Sequence, residues 1–168
     1  MLWLFILVAD FIPNLTHHFL HPLKARATPF ILGEMKLLNF SFIPTSSDFG
    51  LLVLRFWLGF YMLVLHGWGK LMSFSEKAAQ FPDPLGIGST WSLSLATFAE
   101  VACSALLIVG FLTRFAALNL AITMGVAFFI QHQKVLVGQG SGELAFLYLA
   151  GYVTLFFSGG GRFAFEKD

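Results

Sequence analysis

The sequence predicts an all-α integral membrane protein, an up-and-down bundle of four helices, and three observations carry that prediction. Of 168 residues, 57% are hydrophobic and only 11% charged, against about 25% charged in a soluble domain. Twenty-one Phe and four Trp suit an exterior that meets lipid. Four apolar stretches approach the roughly 20 residues a helix needs to cross a bilayer, and none alternates in polarity as a barrel strand would. The same arithmetic excludes other classes. A formal net charge of +1 without a basic run offers no nucleic-acid surface. One cysteine leaves no intrachain disulfide, Cys-only zinc site or internally held iron–sulfur cluster.

Taken in order, residues 1–34 stand apart. Met1 to Ala9 is apolar but too short to span, and Pro13, three histidines and Pro22 follow. The basic start of a secretory signal is missing, and Ala25-Arg26-Ala27 resembles a cleavage site only weakly. This segment reads as an N-terminal extension, with Met35 as a natural start and residues 35–168 as the membrane domain.

The expected spans are about 49–72, 91–112, 115–130 and 142–158. Phe111 to Arg114 is a tight turn that makes the second and third spans antiparallel neighbours. Two prolines and two glycines make Phe81 to Gly88 a loop, preceded by a short interfacial helix within Ser73 to Phe81. Gly138 to Gly142 forms the last loop. Lys24, Arg26, Lys36, Arg114, Arg162 and Lys167 fall on one side, against Lys70, Lys77 and Lys134 on the other. That bias predicts both termini in the cytoplasm, across a bacterial inner membrane.

Ionisable groups inside spans carry the functional signal, because each costs about 2.5–3.5 kcal/mol at the centre of a helix. Glu100 lies eight residues past Ser92, roughly 12 Å below the outer surface. His66, Lys70, His132 and Glu143 fall near that surface. Helical spacing puts Arg55, Gly59, Met62, His66 and Lys70 on one stripe. Glu100 shares a face with Ala96, Thr97, Cys103 and Ser104, whose small side chains let a neighbouring helix approach. Ala117, Ala121, Gly125, Phe128 and His132 form a third stripe, and Glu143, Ala150 and Thr154 a fourth. Four inward faces are therefore expected to converge on one polar cluster with Glu100 beneath it.

Plainer readings stand beside this. Lys70, His132 and Glu143 can be boundary residues hydrated by headgroups, and Cys103 a small packing residue. Glu100 needs a partner or a proton, with Arg55 or Lys70 the available cations, and Arg55 can instead snorkel to the inner surface. Two lone histidines make a weak case for haem. His66, His132 and Glu143 are permissible metal ligands without a tight spacing motif. Neither haem nor metal is expected. A quinone needs less, a donor for each carbonyl and apolar walls, which His66, Lys70, Trp68, His132 and the Phe-rich helices supply.

His66-Gly67-Trp68-Gly69-Lys70-Leu71 resembles the His-Gly-x-x-Lys segment that closes the first helix of DoxX-like membrane proteins. The loop Phe81 to Gly88, Glu100 with the Gly110 to Ala117 turn, His132 and Gly142-Glu143-Leu144 follow in that family's order. The resemblance covers about Asp48 to Phe165. It departs at Gly159-Gly160-Gly161-Arg162, where the family has Gly-Pro-Gly-Arg, and at Ser104-Ala105, where many members carry two glycines.

The resemblance implies a four-helix bundle and a link to quinone-coupled oxidation of sulfur compounds and to oxidative-stress complexes. Three functions follow as expectations. In the first, the chain is a redox-associated subunit: His66, Lys70, Trp68 and His132 hold a quinone, and Glu100 and Glu143 relay protons. In the second it anchors a soluble oxidoreductase. In the third it is a small proton-linked transporter gated by Glu100, for which four short helices leave little room unless the chain forms a homo-oligomer. No nucleophile–base pair or phosphate loop points to a self-sufficient enzyme.

Overall fold

A computed structural model describes residue 40 and residues 42–166. The chain divides into two units, 1–45 and 46–168. In the first, the Ile43 amide donates to the Phe40 carbonyl in a turn. The extension over 1–34, and Met35 as a start, lie outside the described residues.

The regular structure among the described residues of the second unit is all helical. Helices α1 (Ser47–Met72), α3 (Ser89–Val109) and α4 (Thr113–Gln131) are long and apolar enough to cross a membrane. Helix α2 (Phe74–Lys77) is a single turn. Helix α5 (Glu143–Ser158) has 16 residues; at 1.5 Å per residue it is roughly 24 Å long, short of the ~30 Å hydrocarbon core. The sequence stretch 142–158 therefore packs as a short fourth member of the bundle beside three full-length spans.

Local signals explain the ends. The Ser46 side chain accepts from the Phe49 amide, and Asp48 sits in the first turn, so α1 starts on a capped, dipole-matched terminus. Gly110, at φ +79°, closes α3, and the amides of Gly110 and Phe111 both donate to the Leu106 carbonyl. Leu112 follows at φ +49° and α4 begins at Thr113, the tight antiparallel turn expected of this segment.

Three π-helical segments interrupt the long helices: Met62–Gly67 in α1, Phe98–Cys103 in α3 and Ala127–Gln131 in α4. Such segments concentrate at functional sites, and here the first two carry His66 and Glu100.

Burial confirms three of the four expected inward stripes and replaces one. Arg55, Gly59 and Met62 are buried, with His66 and Lys70 partly so. Glu100 is buried with Thr97, Cys103 and Ser104, and Ala117, Ala121 and Phe128 are buried on α4. On α5, however, Glu143, Ala150 and Thr154 are exposed. Its inward face is Ala145, Tyr148, Tyr152 and Leu155. Thr154 can face outward because its hydroxyl donates to the Ala150 carbonyl of its own helix, satisfying itself without a partner.

Arg55 corrects a second expectation. It neither snorkels nor pairs with Glu100; it is 1% exposed. Its Nη1 donates to the Leu107 and Ile108 carbonyls, at the negative end of α3, and its Nη2 to the Phe163 carbonyl. The segment after α5 is fastened further. The Arg162 amide donates to Asp48, the Glu166 amide to the Gly110 carbonyl, and the Leu112 amide to the Glu166 carboxylate. This strap closes the end of the bundle where α1 begins and α3 ends.

Candidate functional site

At the opposite end, where α1 stops and α3 starts, a polar cluster is built around Glu100. Its carboxylate Oε2 accepts a 2.5 Å hydrogen bond from Lys70 Nζ. The side chains are 6% and 21% exposed, and theirs is the single ion pair among the described residues. The approach is permitted by Gly67, on the α1 turn before Lys70. A Cβ there would lie 2.6 Å from the Glu100 carbonyl oxygen, so only glycine lets α1 and α3 come this close.

His66 packs edge-on against Tyr148 of α5, ring centroids 5.9 Å apart, one helical turn before Lys70. Tyr148 stacks on Tyr152, whose hydroxyl donates to the Leu58 carbonyl at 3.3 Å. The cluster thus draws Lys70 and His66 from α1, Glu100 from α3 and two tyrosines from α5. The tyrosines were not anticipated. Their signal was four-residue spacing in an otherwise apolar helix, with Ala145 and Leu155 completing the same face.

One wall of a hollow of about 340 Å³ carries the pair. The rest of its lining is mainly apolar: Phe81 and Leu85 from the Pro/Gly loop, Leu95 and Ala96 from α3, Ile122 and Val126 from α4. Ser92, Thr123 and Gln131 add uncharged polar groups. The loop is held over the hollow by Asp83. Its carboxylate accepts from the Ser92 hydroxyl at 2.7 Å, the Gly88 amide at 2.7 Å and the Ile87 amide at 3.0 Å. The Ser92 hydroxyl first, and then the Gly88 amide, hold that carboxyl below the ordinary aspartate range.

The other sequence candidates sit elsewhere. His132 Nδ1 hydrogen-bonds the Gly140 carbonyl at 2.7 Å, closing its own loop. Glu143 is exposed in the first turn of α5, where a carboxylate favours the helix N-terminus. Trp68 lies on the outer surface of α1. None of these three lines the hollow, nor does His66, which stands behind the pair. Among the described residues no three metal-ligating side chains gather.

The chain is 33% identical over 115 residues to an uncharacterized protein of Haemophilus influenzae, covering 64% of this chain and 81% of the relative. No solved structure matches it. Residues 50–133, which hold Gly67, Lys70, Asp83 and Glu100, match the DoxX family, and this chain belongs to it.

Proposed function

We propose that this chain is an inner-membrane, redox-associated subunit that holds a quinone in the hollow between α3, α4 and the Pro/Gly loop. One observation carries the reading: the Lys70–Glu100 pair stands on the wall of a mainly apolar cavity of about 340 Å³. As a staple alone the pair would be a poor choice. Desolvating two charges costs about what their attraction returns, and packed apolar side chains often serve as well or better. On a cavity wall it offers a ligand a donor and an acceptor together.

Lys70 Nζ retains donors beyond the one given to Glu100 and can bond a carbonyl oxygen. Glu100 is the proton carrier at that oxygen, and Ser92, whose hydroxyl proton is given to Asp83, and Gln131 line the loop end of the hollow. A bound quinone supplies two-electron, two-proton chemistry of its own; the protein binds, orients and protonates. His66, one turn before Lys70, and the exposed Glu143 are the further relay groups of this reading, while His132 closes its own loop. Trp68, on the lipid side, contributes to seating in the bilayer. A soluble oxidoreductase docking on the bundle would deliver the electrons. Passage of a solute is disfavoured, because the Arg55–Phe163 strap closes the far end.

The test is to purify the protein mildly and quantify extracted quinone, beside an Ala96→Phe variant that fills the hollow. Stoichiometric quinone in the wild type, lost in the variant at an unchanged melting temperature, is the expected outcome. Quinone no richer than in bulk membrane lipid would overturn the reading.

A further inference from the structure

The loop between α4 and α5, residues 132–142, carries an apolar tip. Val135, Leu136 and Val137 follow one another and all three are exposed, Val137 at 87%. Its shape is firmly set. Gln133 and Lys134 both stand in the left-handed region, at φ +48° and +64°, where a side chain with a Cβ is strained. Hydrogen bonds hold them there. The Lys134 amide donates to the Phe128 carbonyl, the Val135 amide to the His132 carbonyl and the Gly142 amide to the Val135 carbonyl. The same bonds satisfy backbone groups that a surrounding poor in water would leave unsolvated.

Helix register gives the height of this loop in the bundle. Leu58 of α1 lies against Gly151 of α5, and the Tyr152 hydroxyl reaches the Leu58 carbonyl. Eight residues back from Gly151 is Glu143, where α5 starts; eight on from Leu58 is His66, and each run rises roughly 12 Å. The start of α5 is therefore level with His66, while α1 continues six residues to Met72, roughly 9 Å more. Gly67 in turn packs against Glu100, and α3 reaches eleven residues beyond that level to Ser89, roughly 16 Å. The loop thus lies in a step beside two taller helices. Above that step their surfaces are still apolar: Trp68 and Met72 on α1, and Trp91 and Leu95 on α3, are exposed. The lipid-facing surface of the bundle continues past the start of α5, and the Val-Leu-Val tip is continuous with it.

We propose that the α4–α5 loop is a lipid anchor. Val135, Leu136 and Val137 insert among acyl chains just beneath the headgroups, and Gln139 stays on the water side. Lys134, whose ammonium stands 6.0 Å from the centroid of the exposed Phe129 ring, lays its stem along this apolar surface and meets a lipid phosphate. The tip supplies bilayer contact where α5, with 16 residues, is too short to give it.

The experiment places an environment-sensitive nitrobenzoxadiazole label on Val137→Cys and, separately, on Gln139→Cys, in the full chain. Both positions are exposed, and melting temperatures report that each labelled variant is folded. The wild type, whose single thiol Cys103 is buried, gives the labelling blank. Nanodiscs of phosphatidylethanolamine and phosphatidylglycerol carry either iodide in the buffer or a nitroxide near the head of the acyl chain. The Val137 label should emit to the blue of the Gln139 label and be quenched by the nitroxide lipid. Iodide should quench it at least about threefold less than the Gln139 label. Equal iodide quenching at the two positions would leave the tip in water, open to a soluble protein. Shielding of Val137 from both quenchers would mean that protein covers it, a second copy included. Either result overturns the proposal.

Discussion

Glu100 was the residue most legible in the sequence, because a carboxylate in mid-span demands an explanation, and its small neighbours Cys103 and Ser104 placed it toward protein. Its partner was not legible: Arg55 and Lys70 were both within reach of one stripe, and only folded geometry gives the bond to Lys70. Removing that acceptor charge has a definite consequence. Glu100→Gln strands the Lys70 ammonium, which is 21% exposed and can draw hydration from the hollow. The expected loss of about 1–3 kcal/mol is therefore smaller than the 3–5 typical of a fully buried pair, and a denaturant or thermal melt measures it. Asp83 gives a prediction in pH. Its carboxyl is held below the ordinary value near 3.9 by the Ser92 hydroxyl and loop amides. The unfolded loop therefore takes up the proton first, so the clamp is fully present above about pH 4–5 and is lost as pH falls through the lowered value. Proteolysis of the 81–88 loop should be slow at neutral pH and rise only in stronger acid, whereas Asp83→Ala should be cut readily at every pH.

At the scale of elements, apolar length fixed the three long helices and turn chemistry fixed their connections. The inward face of α5 was misjudged because polarity was taken as the guide, whereas Thr154 bonds its own helix and two tyrosines turn inward. The π-segments leave no trace in a hydrophobic pattern, since one extra residue per turn changes no residue type. They matter by place, because Gly67 in Met62–Gly67 and Glu100 in Phe98–Cys103 are where the backbones of α1 and α3 approach. Two glycines of one motif should therefore differ. At Gly67 a methyl meets the backbone of Glu100, which cannot yield, whereas at Gly69 it meets no atom within 4 Å. Gly67→Ala should lower the melting temperature and separate the ion pair. Gly69→Ala should be neutral or stabilise by up to about 1 kcal/mol. Parallel melts of the two variants compare them directly.

For the whole molecule, composition alone gave the membrane class, and the residue order around Lys70 and Glu100 gave the family. What lay beyond sequence was closure: one bundle end is sealed by Arg55 and the segment 159–166, and the hollow opens near the other. The charge bias predicts that the sealed end faces the cytoplasm. Because Cys103 is fully buried, a single Cys at Gln139 supplies the reporter thiol. It should react with an impermeant reagent in intact cells; reaction only after lysis would reverse the orientation. The central claim is that the Lys70–Glu100 pair exists to face a ligand rather than to brace two helices. It is tested most directly by quinone content and melting temperature measured together on Lys70→Met/Glu100→Leu. Apolar replacement of both partners should recover the stability lost in Glu100→Gln while abolishing quinone retention. A double variant that keeps the wild-type quinone content would contradict the claim and make the pair a replaceable brace.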